Sequence, residues 1–211
     1  MITTLKGAAR RSVGIWTEWP PGARWANEGM TRLLGFIIEG GASGGKFVFR
    51  IVVPDSIRAE AEADLAGLAA QLDLDYSLHS PPPDAIDEAD FASLAAFAND
   101  EIDVDGWIVL FPYFHHALLL KAPVATIFPD GIPVLFPVAD PGAWGSDGYH
   151  LRWQQQVQRL LSGSNRVVTF SQHVATSQAT AMFGVAREKI RVVPHAPPDL
   201  AGSLPYLDGR K

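Results

Sequence analysis

The sequence contains no cysteine. Disulfides, thiolate metal sites and cysteine nucleophiles are therefore excluded, and a reducing compartment is the natural setting. Nowhere do about 18 apolar residues run together to cross a bilayer, and the opening MITTLKGAARR carries charge but no apolar stretch of signal-peptide length. A cytoplasmic protein with at most peripheral membrane contact is expected. Basic residues are in the minority, 17 Lys and Arg against 23 Asp and Glu, for a formal charge of −6. Such a balance offers a polyanion no general attraction, so no nucleic-acid partner is expected. The nearest basic group, Lys6, Arg10 and Arg11, reads as a solvated tail. Internal repeats are absent too.

What is present is a chain of 211 residues, 47% of them hydrophobic, long enough to bury one sizeable core. Sixteen prolines and nineteen glycines fall between apolar runs and act as punctuation. SVGIWTEW, Ser12 to Trp19, reads as a first strand closed by Pro20, Pro21 and Gly22. A helix is expected from about Asn27, with Met30, Leu33, Leu34, Ile37 and Ile38 on one face and paired glycines as its stop. FVFRIVVP follows as a strand. DSIRAEAEADLAGLAAQL then reads as a helix capped by Asp55, with Ile57, Ala61, Leu65, Leu68 and Leu72 as its apolar stripe.

The alternation continues through the strand DYSLHS, the helix DEADFASLAAFAND, and the unbroken apolar runs DGWIVLFP and PVATIFPD, which suit strands covered on both faces. YHLRWQQQVQRLLSG reads as an amphipathic helix, RVVTF as a strand, HVATSQATAMFG as a helix stopped by glycine, and KIRVVP as a last strand. Strand-helix alternation of this kind demands right-handed crossovers between parallel neighbours. The expected fold is α/β, a Rossmann-like doubly wound parallel sheet with helices on both faces, whose ligands gather beyond the strands' carboxyl ends.

The stretch from Asn165 to Leu200, NRVVTFSQHVATSQATAMFGVAREKIRVVPHAPPDL, carries a strand ending in Ser171, a helix, the turn Phe183 to Val185, the charged group Arg187, Glu188 and Lys189, and a strand closing at Pro194 and His195. In this order of parts it resembles a recurrent segment of retaining GT-B glycosyltransferases, the large family four that uses nucleotide sugars. His195-Ala196 departs from the Asn-Gly most often found there. Upstream, PVATIFPDGIPVLFP resembles the family segment in which a strand runs into a His-Asp pair. Asp130 takes the Asp place and Pro129 the His place, leaving His115 or His116 to serve instead. The loop from Pro20 to Gly29 occupies the position of the family's glycine-rich turn.

The resemblance implies two Rossmann-like domains facing across a cleft, with residues 1–200 as the acceptor-side domain and 201–211 as a tail or the start of a linker. It implies a nucleotide-sugar donor held by a second domain, whose E-x7-E motif has no room after Leu200, and a sugar or lipid-linked acceptor. No cofactor is implied. An isolated domain of this kind is expected to be inactive alone, with a role in polysaccharide biosynthesis when complete. The rivals are a non-catalytic binding or assembly module and a dinucleotide-dependent oxidoreductase, the latter opposed by the missing G-x-G-x-x-G.

Candidate site residues follow from the strand ends. Asp130 and Glu28 are carboxylates placed to accept hydrogen bonds from sugar hydroxyls or to act as base, though Asp130 reads equally as the aspartate of a Pro-Asp-Gly turn. Gly22, Asn27 and Gly29 offer backbone approach at a helix N-terminus, with N-capping as the plain role of Asn27. Tyr113, His115 and His116 follow the strand ending at Pro112. The paired histidines read as one exposed and one satisfied in the core, and no metal role is assigned to them without further ligands at suitable spacing. Ser171 reads as a helix cap, with substrate contact as its alternative. His195 ends the last strand. Trp16 is expected in the core, and Trp19 and Trp25 in a partly exposed loop, with stacking on a sugar face as the alternative.

Overall fold

The computed structural model describes residues 10–19, 22–25, 28–42, 45–72, 74–82, 85–87, 89–135 and 149–194. Asn27, His195 and the 201–211 tail lie outside these, as does the segment 136–148.

The chain alternates as its apolar periodicity requires. Strand β1 spans Arg11–Trp16, helix α1 Glu28–Ala42, β2 Phe47–Val52, α2 Asp55–Leu72, β3 Tyr76–His79, α3 Phe91–Glu101 and β4 Gly106–Val109. A 3-10 turn over His115–Leu119 leads to β5, Val124–Ile127, and the short α4, Ile132–Leu135. Then come α5, Tyr149–Gly163, β6, Arg166–Thr169, a π-helical segment over Val174–Thr180, a 3-10 turn at Arg187–Lys189 and β7, Ile190–Val192. Among the described residues no helix is long and apolar enough to cross a membrane.

The strands form one seven-stranded sheet in the order β3-β2-β1-β4-β5-β6-β7, with every pairing parallel. Ile15 lies at its centre, in register with Ile51 on one side and Ile108 on the other. The expected doubly wound sheet is thus observed. Its direction of growth reverses at β1, where β2 and β3 extend one way and β4 to β7 the other.

The apolar stripes become core. Leu34 and Ile38 of α1 and Ile57, Ala61 and Leu65 of α2 are buried against Ile15, Phe49, Ile51 and Val52, and each leucine or isoleucine contributes about 1.5–3 kcal/mol. A second cluster joins Trp153, Val157 and Leu161 of α5 to Phe128, Val167 and Phe183. Gly14 is required by packing, since a Cβ there would collide with the ring of Trp107, its register partner on β4. That ring meets Trp16 edge to face, with centroids 6.2 Å apart. Gly184, at φ 69°, turns the chain out of the π segment. Its N–H and that of Val185 return to the carbonyls of Thr180 and Ala179, so the glycine works as a helix stop.

Several local expectations are corrected. β1 ends at Trp16, not Trp19. The helix expected from His173 winds as a π segment. Arg10 and Arg11 are exposed as expected but are not tail, since Arg10 pairs with Asp75 at 2.9 Å and Arg11 opens β1, while Lys6 lies outside the described residues. Trp19 and Trp25 are 2% and 3% exposed, not loop residues facing solvent. The polar face of α2 explains the burial of Trp25: Glu60 accepts from its backbone N–H and Asp64 from its indole N–H, at 3.2 and 2.9 Å. These carboxylates stand four residues apart, one above the other on the helix. Trp19 then packs on Trp25 with ring centroids 5.7 Å apart.

Candidate active site

Beyond the carboxyl ends of β1 and β4, at the point where the sheet reverses, lies a cleft of about 360 Å³ lined by Glu18, Phe91, Tyr113, His115, His116, Arg152, Trp153 and Gln156. Open parallel sheets form such crevices because adjacent connections leave in opposite directions.

Glu18 reaches the floor of the cleft because Thr17 fixes the chain leaving β1. Thr17 is fully buried, and its hydroxyl donates to the Val52 carbonyl at 2.8 Å. The Glu18 side chain is 5% exposed. Burying a carboxylate without partners is costly, and three donors meet this one. Oε1 accepts from Trp16 Nε1 and from the His116 backbone N–H, each at 3.0 Å, and Oε2 lies 2.9 Å from His116 Nδ1.

The histidines are presented by the 3-10 turn after β4. Phe114 and Ala117 are fully buried and anchor that turn. Asn99 of α3 clamps its end, donating to the Leu119 carbonyl and accepting from the Lys121 N–H. His115 and His116 stay half-buried, with ring centroids 4.1 Å apart. His115 Nδ1 lies 3.3 Å from the Tyr113 carbonyl oxygen, so in the neutral ring Nδ1 carries the proton and Nε2 the lone pair. His116 is likewise held through Nδ1, by the Glu18 carboxylate, and Phe91 packs 5.5 Å from its ring. A carboxylate bonded to one ring nitrogen orients an imidazole and stabilises its protonated form, which suits the other nitrogen to act as a general base.

Of the residues singled out from the sequence, Tyr113, His115 and His116 meet in this cleft. Both histidines are half-buried, in place of the expected exposed and core-satisfied pair. Ser171 caps the π segment, its Oγ accepting from the Val174 N–H at 3.1 Å. Asp130 follows β5 and its Oδ1 accepts from the Ile132 N–H at 3.0 Å, the geometry of a turn aspartate. It does not line the cleft. Gly22 adopts φ 74° in the loop after β1, and Glu28 and Gly29 open α1. Asn27 and His195 lie outside the described residues. Glu18 was missed. Its signal was a lone acid in the aromatic run WTEW, but its partner His116 is 98 residues away and only the fold joins them.

No family model matches the chain, and no curated protein matches it in sequence. Solved structures do match in fold. LpCGTa in complex with UDP aligns with a TM-score of 0.56 at 12% identity, over 96% of this chain and 57% of that one. The fold is that of a GT-B half-domain. Arabidopsis thaliana UGT89C1 complexed with UDP aligns with a TM-score of 0.50, also at 12% identity, over 96% of this chain and 57% of its own. The chain therefore spans little more than half the length of these GT-B proteins. At such identity the likeness establishes architecture and assigns no residue a role.

Proposed function

We propose that this chain is the acceptor-side domain of a glycosyltransferase, moving a sugar from a nucleotide sugar to a hydroxyl of a glycan, a lipid-linked sugar or another acceptor. The observation that carries this reading is the buried Glu18 carboxylate holding His116 at the switch point of a GT-B-like sheet. Support for a nucleotide donor comes from the UDP present in both fold neighbours. A nucleotide-binding half of comparable size, facing the strand ends, completes the enzyme. The 211-residue chain alone is inactive.

Sugar transfer requires an acceptor hydroxyl that is positioned and loses its proton as its oxygen bonds to the anomeric carbon, while the bond from that carbon to the nucleotide diphosphate breaks. His116 Nε2 takes the proton, and Glu18 orients the ring and balances the imidazolium. Phe91, Tyr113 and Trp153 give the cleft aromatic surface for a sugar or planar acceptor. Asp130, which follows β5, is assigned a sugar-hydroxyl contact at the neighbouring strand mouth, and Glu28 remains the second candidate carboxylate. Direct displacement with His116 as base inverts the anomeric carbon, whereas the resemblance over Asn165 to Leu200 supports retention, in which the departing diphosphate takes the acceptor proton and His116 positions the hydroxyl. An inverted product would instead favour direct displacement by the hydroxyl that His116 deprotonates.

Calorimetry on the 211-residue chain tests the division of labour. Nucleotide sugars are expected to bind negligibly, whereas sugar or phenolic acceptors perturb NMR signals of Tyr113, His115 and His116. Tight binding of a nucleotide sugar by this chain alone would sink the assignment to the acceptor side. Acceptor binding without turnover in the presence of the nucleotide-binding half would leave a binding module.

A further inference from the structure

We propose that Glu18, His115 and His116 form a binding site for a divalent first-row transition cation, with coordination positions left open to the cleft. One ligand atom from each residue lies within 4.8 Å of the others. Ligands around a common ion at about 2.1 Å stand about 3–4 Å apart. Closing the set therefore takes a side-chain adjustment of roughly 1–2 Å. His115 and His116 can make it because both are half-buried on a short 3-10 turn. The tighter pair needs least change. Glu18 Oε2 and His116 Nδ1, 2.9 Å apart, subtend nearly a right angle at an ion about 2.1 Å from each.

The surroundings are those that orient metal ligands. Oε1 of Glu18 is fixed by Trp16 Nε1 and the His116 N–H, leaving Oε2 as the ligand oxygen. In the neutral ring, the hydrogen bond of His115 Nδ1 to the Tyr113 carbonyl leaves Nε2 as the nitrogen with a lone pair. Backbone partners of this kind on the second ring nitrogen fix the tautomer of a ligating histidine. Two imidazoles and one carboxylate suit Zn2+, Co2+ or Ni2+ and disfavour Mg2+ and Ca2+, which prefer oxygen donors. Because all three residues line the cleft, the remaining positions on the ion accept an oxygen ligand entering it, such as a carboxylate, phosphate or hydroxyl.

A bound cation occupies the ring nitrogen that now faces Glu18 and withdraws His116 from proton transfer. Metal occupancy and base catalysis are thus alternative states of one cluster, read by separate measurements. Cation binding needs no sugar, so its failure leaves sugar transfer untouched, and the reverse holds as well.

The test is titration of the metal-stripped 211-residue chain with Co2+, followed by visible absorption, and with Zn2+ by calorimetry, with Mg2+ alongside. One equivalent of Co2+ is expected to bind with ligand-field bands, and Mg2+ not at all. His115→Ala and His116→Ala weaken binding at least tenfold, whereas His173→Ala, at an exposed residue just before the π segment, leaves it unchanged. Circular dichroism establishes that each variant is folded. Should Glu18→Gln fail to fold, His115→Ala decides the matter, since the hydrogen bond of that side chain, to the Tyr113 carbonyl, stays within one connection. Absence of saturable Co2+ and Zn2+ uptake by the folded chain overturns the proposal, as does uptake indifferent to His115→Ala.

Discussion

Two groups of polar residues stand at the carboxyl ends of this sheet, and they differ in what their hydrogen bonds are for. On the β5–β6 side, Asp130 accepts from Ile132 N–H, Ser171 from Val174 N–H, and Gln178 Oε1 from Gly131 N–H at 2.6 Å. Each closes a backbone donor that a turn or helix end would otherwise leave open. At the β1–β4 reversal, the Glu18 carboxylate also satisfies donors, but two of them belong to other functional groups, an indole and an imidazole. A side chain that holds backbone builds a loop. A side chain that holds another side chain beside open space prepares chemistry.

The largest effect expected from this contrast is on turnover. In the protein assembled with its nucleotide-binding half, His116→Gln removes a general base and lowers kcat by about 10²–10⁴. Asp130→Ala lowers kcat less, and still lowers it more than it lowers stability. A greater loss at Asp130 than at His116 would reverse the ranking of the two strand mouths.

Next in size is Glu18→Ala. It strands the Trp16 indole N–H and the His116 backbone N–H inside the protein, and each buried orphan costs about 1–3 kcal/mol. A loss of roughly 2–5 kcal/mol in urea unfolding is expected, with an unchanged m-value. A loss below about 1 kcal/mol would mean that water replaces the carboxylate, which contradicts its burial. Gln178→Ala follows. It leaves the Gly131 N–H, in a residue that is itself buried, without its acceptor, at about 1–3 kcal/mol. This loss is purely structural, so acceptor affinity at the β1–β4 cleft should not change.

The sheet was legible in the sequence because its cause is local and repeated. Apolar runs of strand length alternate with 3.6-period stripes, and only a covered parallel sheet accommodates both. Leu34, Ile38, Ile57, Ala61 and Leu65 are buried as their spacing requires. The site was legible in part. Position after a strand picked out Tyr113, His115 and His116, but not Glu18, whose role is made by the adjacency of β1 and β4. That adjacency comes from the crossover after β3, which no window of sequence contains. Trp19 and Trp25 were misplaced for a like reason. Their burial depends on Glu60 and Asp64, acids that periodicity assigns to a solvated face. The π winding of Val174–Thr180 brings Gln178 against Gly131, a contact that helical periodicity does not foretell.

The smallest effect lies at the opposite edge, where a histidine has no part in the cleft. His79 ends β3, and its Nε2 lies 2.7 Å from Ser77 Oγ, which accepts from Arg50 Nη1 at 2.9 Å. Burial, followed by the charges of Arg50 and Arg58, holds the imidazole below its ordinary value of 6.5. The folded state therefore binds this proton less readily than the unfolded chain, and stability falls as pH drops below the ordinary value toward the folded one. Arg50 and Arg58 repel the added charge while Ser77 offers only a hydroxyl, so both charged neighbours that act on the ring push in the same direction as burial. His79→Gln should flatten the decline in Tm on acidification from pH 7 to about 5 while leaving Tm at pH 8 nearly unchanged. An acid slope as steep in His79→Gln as in the parent would show that carboxylates dominate, and would remove this edge as a source of pH sensitivity.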